Sequence, residues 1–408
     1  MDCSKLPAPC VAILDPFANY AVAGIRSFTT PEQLPIVAWV SGSAGCTLML
    51  WGPERYGGRG NYPSRMQEQI KNGKAQIEAF GSELVFGPTD SVLRIPGYPL
   101  MYDYERQPQT PPEWIRGADS LFMEVVYKSI MASEGVITIS SPVIEKESIK
   151  ACDEYFGSLG KSYFSIGPMA VIPNDPKEDD ATTDKVFSFL EKMNAEFGEK
   201  SVIYIAFGTL LWPTNTSVFN AIIDGMMDNQ TPFIVAHPSP VAQPSEVFLN
   251  KIRAYPYGLE LAWAPQERIL SHSATGWFLT HGGWNSMQEA FTYKVPMLLW
   301  PTSADQPLNA SLLSIKFRAA FELIEVRTGE HGQKMPYRYR DGRDGPTPKF
   351  TAESAKEEFE HLLKDLKGMK GSVVRKNFED LAMEIGRVWD EDGDARKALE
   401  AFLNKYLG

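Results

Sequence analysis

Trp263–Gln306, WAPQERILSHSATGWFLTHGGWNSMQEAFTYKVPMLLWPTSADQ, decides how the other residues of this 408-residue chain are read. An apolar run, Gly276 to Thr280, enters His281-Gly282-Gly283, and a helical pattern begins near Trp284. Strand, glycine turn and helix together aim free backbone N–H groups and a positive helix end at an anion, typically a phosphate. Asn285 and Glu289 are four residues apart and share one face of that helix's first turns. A second strand, Val295 to Trp300, delivers Asp305 and Gln306 just past its carboxyl end, where open parallel sheets place their ligands. Phosphate donors, a carboxylate suited to a ribose and an acid–amide pair therefore converge, and the stretch reads as a nucleotide-sugar site.

The same stretch resembles the signature box of family 1 UDP-dependent glycosyltransferases, first described in plant secondary-product enzymes. The matching residues are Trp263, Pro265, Gln266, Leu270, His272, Phe278, His281, Gly283, Trp284, Asn285, Ser286, Glu289, Pro296, Pro301, Asp305, Gln306 and Asn309. The resemblance implies that Trp263 stacks on uracil, Gln266 reaches the nucleoside and Glu289 binds the ribose hydroxyls. It gives His281, Asn285 and Ser286 to the diphosphate, and Trp284, Asp305 and Gln306 to the sugar. A Gln at the end of the box points to glucose over galactose. Gly208 and Thr209, which follow the apolar strand Ser201–Phe207, are implied at the phosphate end. Trp277, Phe278 and Trp300 are read as packing residues, and His272 as a structural cap.

The composition, 43% apolar and 22% charged, is that of a globular chain long enough for two domains. A net charge of −11 argues against nucleic acid or an anionic membrane as partner. Four scattered cysteines, with no Cys-x-x-Cys, fit a reducing cytosol and hence a cytoplasmic protein. No apolar run approaches the roughly 20 residues of a membrane helix.

Strands and helices alternate along the chain. Val11–Leu14 is a strand presenting Asp15, and Leu34–Ser41 and Gly135–Ser140 are further strands of the first half. Pro96–Pro112, with Tyr98, Met101, Tyr102 and Tyr104, reads equally as a wall for an apolar ligand or as a crossing with its aromatics tucked inward. Gly157–Ser162, GSLGKS, imitates the tail of a phosphate-binding loop, but Tyr155 stands where the full motif needs glycine. The order implies an α/β chain with parallel sheets. The resemblance makes it two Rossmann-like domains facing across a cleft (GT-B type), the N-terminal one incomplete. The divisions are an acceptor-binding domain at 1–172, a linker at 173–184, a donor-binding domain at 185–390, and a C-terminal helix within 391–408 that packs back on the first domain. Arg327–Lys349, basic and without apolar period, reads as a solvated surface excursion.

The resemblance implies transfer of a hexosyl group, glucose first, from a UDP-sugar to a hydroxyl of a small lipophilic acceptor, with inversion. The acceptor must lose a proton as it attacks, and the family supplies a histidine after its first strand, oriented by an aspartate. Asp15 matches the aspartate. The five histidines are His237, His272, His281, His331 and His361, so that base has no counterpart here. Together with the short run of early strands, this reads as the loss of an N-terminal segment on the order of a hundred residues. The alternative is a UDP-sugar-binding protein without turnover of its own, or a half that needs a partner chain. No metal is expected, because the helix end with His281 would itself neutralise a diphosphate.

Overall fold

A computed structural model describes residues 8–58, 62–75, 87–110, 118–169, 181–342 and 347–408. In the first half, β1 (Ala12–Leu14) and β2 (Ile36–Val40) are followed by a small antiparallel hairpin, β3 (Val92–Leu93) with β4 (Met101–Tyr102), and then by β5 (Gly135–Thr138) and β6 (Ser162–Ser165). The four main strands form a parallel sheet in the order β1-β2-β5-β6. The second half contributes β7 (Val202–Ala206), β8 (Phe233–Ala236), β9 (Gly258–Leu261), β10 (Thr275–Thr280), β11 (Met297–Leu299) and β12 (Ala320–Glu322). They form one parallel sheet in the order β12-β11-β10-β7-β8-β9.

Sequence pattern and layering agree. The runs VIYIA of β7 and TGWFLT of β10 are buried at every position, as central strands covered by helices on both faces must be. From β7 the chain winds outward through β8 and β9, then returns to β10 on the other side. The reversal between β7 and β10 is the topological switch point of a doubly wound sheet, and it opens a crevice beyond their carboxyl ends. The GSLGKS segment is no phosphate loop. It lies at the end of helix Pro142–Ser158 and runs into β6, the reverse of the strand-to-helix order a phosphate loop needs.

Helix Ala181–Phe197 starts inside the stretch read as linker, whose residues 173–180 lie outside the described residues. The last helix, Asp394–Leu407, puts Phe402 edge-on to Phe164 of β6 at 5.4 Å, in a small core shared with Val37 and Ile137. Trp389, just before it, donates its indole N–H to the carbonyl of Pro168 at 2.7 Å.

One reading is overturned. Arg327, Thr328, Tyr337 and Arg338 do not stand in a solvated loop but strap the halves together, while 340–342 are exposed as expected. Arg327 is 3% exposed and its guanidinium bridges Glu105 of the first half (3.1 Å) and Glu322 of β12 (3.0 Å). Arg338 pairs with the other oxygen of Glu322, and Tyr337 N–H donates to Glu105 at 2.8 Å. Burial alone would raise the Glu322 carboxyl, but the two guanidiniums outweigh it and hold it below the usual carboxylate range. Thr328 closes the seam, its N–H donating to Pro108 O at 3.0 Å and its hydroxyl to Gln109 Oε1 at 3.0 Å. A charged stretch lacks an apolar period whether water or a buried carboxylate answers its charge, so the pattern could not separate the two.

A buried charge stripped of a partner is costly, whereas an exposed pair contributes little. Glu105→Ala should therefore lower the unfolding free energy by roughly 3 kcal/mol. Removing the exposed partner in Lys376–Asp380 should change it by less than about 1 kcal/mol. Urea unfolding of the two variants checks the contrast.

Candidate active site

The carboxyl ends of the two sheets face each other across a cavity of about 1810 Å³. All twelve donor-site residues expected from the sequence line it, namely Gly208, Thr209, Trp263, Gln266, His281, Gly283, Trp284, Asn285, Ser286, Glu289, Asp305 and Gln306, and so does Asp15.

Gly208 follows β7 and His281 follows β10, on neighbouring strands, so the turns after them meet at the switch point. The His281 ring fills the space between two glycines. A Cβ on Gly283 would lie 2.7 Å from its Nε2, and one on Gly208, which has φ +74°, would lie 3.0 Å from the ring. Burial pushes the His281 imidazole down to about 4, so it is neutral at pH 7. Its Nδ1 lies 3.1 Å from the Thr280 hydroxyl.

Helix Trp284–Tyr293 starts here with Gly283 as N-cap, a residue with no side chain to cap it. The carboxylate of Asp305 takes that place for one position, accepting the Trp284 N–H at 2.8 Å. Asn309 holds the carboxylate from behind, its amide donating to Asp305 Oδ2 (2.8 Å) and to the carbonyl of Gly282 (2.9 Å). The N–H groups of Asn285 and Ser286 find no acceptor among the described residues, and both residues line the cavity. Two free N–H donors at a positive helix end beside an imidazole make a site for an anion with several oxygens. Burial raises the Asp305 carboxyl, while the bonds from Trp284 and Asn309 pull it back.

Along the same wall, Trp263 lies 58% exposed as a flat aromatic face past the end of β9. Beside it Gln266 donates to the Glu289 carboxylate and accepts the Tyr204 hydroxyl at 3.2 Å. Burial lifts the Glu289 carboxyl. An aromatic plate and an amide–carboxylate pair lining one cavity suit a planar base attached to a diol. Gln306 spends its carbonyl on the N–H groups of Thr302 and Ser303 (2.9 and 3.1 Å), which leaves its amide N–H₂ for a ligand. Trp284 lines the cavity, but its indole N–H is committed to the carbonyl of Ile139 in the first half, at 2.9 Å.

The opposite wall is apolar. Asp15 stands at the end of β1 and accepts the N–H of Phe17 at 2.8 Å. Phe17, Trp51, Phe122 and Val126 line the cavity with Ser41, Ser43, Cys46 and Thr47. Helix Ala44–Trp51, which supplies much of this wall, carries no helical pattern in its sequence. Its run AGCTLMLW is buried at seven of eight positions, so it has no amphipathic period, and the available signal was the N-cap Ser43, which accepts from Cys46 N–H. The aromatics of Pro96–Pro112 do not line the cavity. Tyr98, Met101 and Tyr104 are buried, and Tyr104 donates to Met335 O, so of the two readings it is the inward one that the structure adopts.

His272 caps helix Gln266–Ser271 and accepts the Ala274 N–H at 3.1 Å, and His237 pairs with Glu260 at 2.6 Å. Among the described residues no three His, Cys, Asp or Glu side chains gather as metal ligands would. The Asp-x-Asp spacings of the chain, at Asp390, Asp392 and Asp394, run into the first residue of the last helix and are not among the residues that line the cavity. No helix among the described residues is long and apolar enough to cross a membrane.

Residues 129–329 match the family model described as UDP-glucoronosyl and UDP-glucosyl transferase. The UDP-glycosyltransferase eriJ of Hericium erinaceus is 30% identical over 346 residues, 82% of this chain and 66% of that protein. Cis-zeatin O-glucosyltransferase 2 of Zea mays is 24% identical over 97% of this chain and 82% of its own length. The matched stretch is 66%, 55% and 52% of the first three curated relatives, so the chain spans between half and two thirds of their length. Among solved structures, Phytolacca americana UGT2 complexed with UDP-2fluoro-glucose and pterostilbene superposes with a TM-score of 0.67 at 21% identity, over 100% of this chain and 78% of that one. A Siraitia grosvenorii transferase in complex with UDP gives 0.68 at 18%, over 99% and 84%. The fold is thus the two-domain GT-B arrangement of these structures.

The buried imidazole makes a pH prediction. The folded pKa of His281, about 4, lies below the 6.5 of an unperturbed histidine, so the unfolded chain binds the extra proton between these values. The stability from neutral His281 is present above pH 6.5 and lost as pH falls through 4, about 3 kcal/mol in all. Glu358, which burial lifts to about 7, gives a slope of opposite sign, but it is common to the wild type and a His281→Gln variant. The difference between their chemical-denaturation curves from pH 4 to 7 should isolate the His281 contribution.

Proposed function

Because this chain belongs to the UDP-glycosyltransferase family, we propose that it transfers a hexosyl group, glucose foremost, from a UDP-sugar to a hydroxyl of a small lipophilic acceptor, with inversion. The observation that carries the reading is the cleft with two unlike walls. One wall joins the free N–H groups of Asn285 and Ser286, neutral His281, Trp263 with Gln266 and Glu289, and the pair Asp305 and Gln306. The other is apolar around Phe17, Trp51 and Phe122. In this reading the helix end and His281 hold the diphosphate and stabilise its charge as the anomeric bond breaks, without a metal. Glu289 and Gln266 hold the ribose and Trp263 the uracil. Asp305, already fixed by Trp284 N–H and Asn309, turns its remaining oxygen to the sugar hydroxyls. The protein acts in the cytoplasm.

A second reading is favoured by one observation. Every histidine of the chain follows residue 236, and among the described residues of the first half Asp15 is the one carboxylate that lines the cavity. A chain with a complete donor wall and no imidazole opposite it would bind UDP-sugar without turning it over. Release of UDP from UDP-glucose, assayed with phenolic, sterol and flavonoid acceptors in the presence of EDTA, separates the two. Acceptor-dependent release by the 408-residue chain supports transfer and sinks the binding-only reading. Failure to bind UDP, or binding only with a divalent cation, sinks both.

Asp305→Ala and His281→Ala should each weaken UDP-glucose binding about ten- to a hundred-fold, since a hydrogen bond to a charged group contributes roughly 1.5–3 kcal/mol. Asp15→Asn, across the cleft, should leave that affinity nearly unchanged. Calorimetric titration of the three variants checks this, and loss of donor binding in Asp15→Asn alone would reverse the assignment of the two walls.

A further inference from the structure

We propose that Glu145 is a positioning residue that sets the acceptor wall of the cleft against the donor helix, a role that rests on the reading of that wall just given. Glu145 is 1% exposed and does not line the cavity. It falls in the first turn of helix Pro142–Ser158, where its own backbone leaves helical geometry (φ −133°, ψ 38°). That departure carries its carboxylate under the start of another helix. Oε1 accepts the N–H of Gly45 at 2.8 Å and Oε2 that of Ala44 at 3.3 Å, the first two residues of helix Ala44–Trp51. The hydroxyls of Tyr98 and Ser140 donate to the same carboxylate.

Four donors from three segments thus close on one buried carboxylate. Helix Ala44–Trp51 and the turn before it supply Ser41, Gly42, Ser43, Cys46, Thr47 and Trp51 to the cavity. Ser43 caps the third residue of the helix through Cys46 N–H, and Glu145 satisfies the first two, so the helix start is held from both sides. The strand end beside Glu145 is also where the donor wall docks. Ser140 follows Ile139, whose carbonyl receives the indole N–H of Trp284 and whose N–H donates to Gly42 O at 3.2 Å. Trp284 is the first residue of the helix whose free end faces the cavity, and its own N–H is held by Asp305. Glu145 therefore ties the acceptor-side turn Ser41–Ser43 to the strand end on which the donor helix rests.

Replacing this carboxylate by the isosteric amide puts an N–H₂ where four donors converge, so at least one of them loses its acceptor. The start of helix Ala44–Trp51 should loosen while the donor wall, built on the second sheet, stays in place. The test compares wild type, Glu145→Gln and Tyr98→Phe in three measurements: hydrogen exchange resolved by peptide, calorimetric titration with UDP, and binding of pterostilbene by quenching of tryptophan fluorescence. In Glu145→Gln, amide exchange over Ala44–Trp51 should quicken at least ten-fold with Thr275–Tyr293 unchanged. Pterostilbene affinity should fall about ten-fold and UDP affinity stay within two-fold. Tyr98→Phe, which keeps both backbone bonds, should change each by less than three-fold. Exchange over Ala44–Trp51 that stays at the wild-type rate overturns the proposal. So does exchange that quickens equally in Thr275–Tyr293, or UDP affinity that falls as far as pterostilbene affinity, since Glu145 would then serve general stability. A wild-type chain that binds neither ligand removes the functional reading of the cleft, and the exchange pattern still decides whether Glu145 holds this wall.

Discussion

A guanidinium taken out of water between two carboxylates holds the two sheets of this chain at one spacing. Arg327 bridges Glu105 and Glu322, and neither half alone supplies both partners. Such a charge is tolerated only where its partners are fixed, and they are, because Glu105 also accepts N–H groups from Tyr102 and Tyr337 while Glu322 also pairs with Arg338. The indole of Trp284 on Ile139 and the amide of Gln288 against Met169 N–H add crossings between the halves. A cleft whose walls belong to different sheets has a defined width only if such contacts exist. The transfer proposed above depends on that width, since a sugar held by one wall must then meet a hydroxyl presented by the other.

What could be read in the sequence was what the backbone determines locally. The strand, glycine turn and helix of Gly276–Tyr293 announce an anion site because the geometry of free N–H groups is complete within about twenty residues. His281 between Gly208 and Gly283 shows the limit of that reasoning. One glycine is two residues away and visible as part of the turn, while the other is 73 positions earlier and joins it only because β7 and β10 are neighbours. Their adjacency is a property of the doubly wound order, so fold class and site were legible together.

What escaped the sequence reading depends on partners far along the chain. Arg327 and Glu105 are 222 residues apart, and a basic, glycine-containing stretch looks the same whether water or a buried carboxylate answers it. The tyrosines at Tyr98 and Tyr104 look like a binding wall until their hydroxyls are seen to be committed to Glu145 and Met335 O. Helix Ala44–Trp51 was invisible for a simpler reason. A segment buried on all sides loses the alternation of polar and apolar faces by which helices are recognised.

The two walls also differ in how their specificity can be changed. On the wall built by the second sheet, Asp305 is both the cap of the helix start and a group that lines the cavity, and Gln306 both closes its loop and offers an amide. Substituting either disturbs the fold of the wall along with the cavity lining, so this wall has few independent adjustments. The facing wall is lined by Phe17, Trp51, Phe122 and Val126, and its helix Ala44–Trp51 is anchored from outside the lining through Glu145, to which Tyr98 also donates. Phe17 and Phe122, each at least half exposed and packed edge-to-face at 5.8 Å, can change size without removing a buried hydrogen bond. That separation between anchoring residues and lining residues is why a short sequence box reveals one wall, while the shape of the other emerges only from contacts between distant segments.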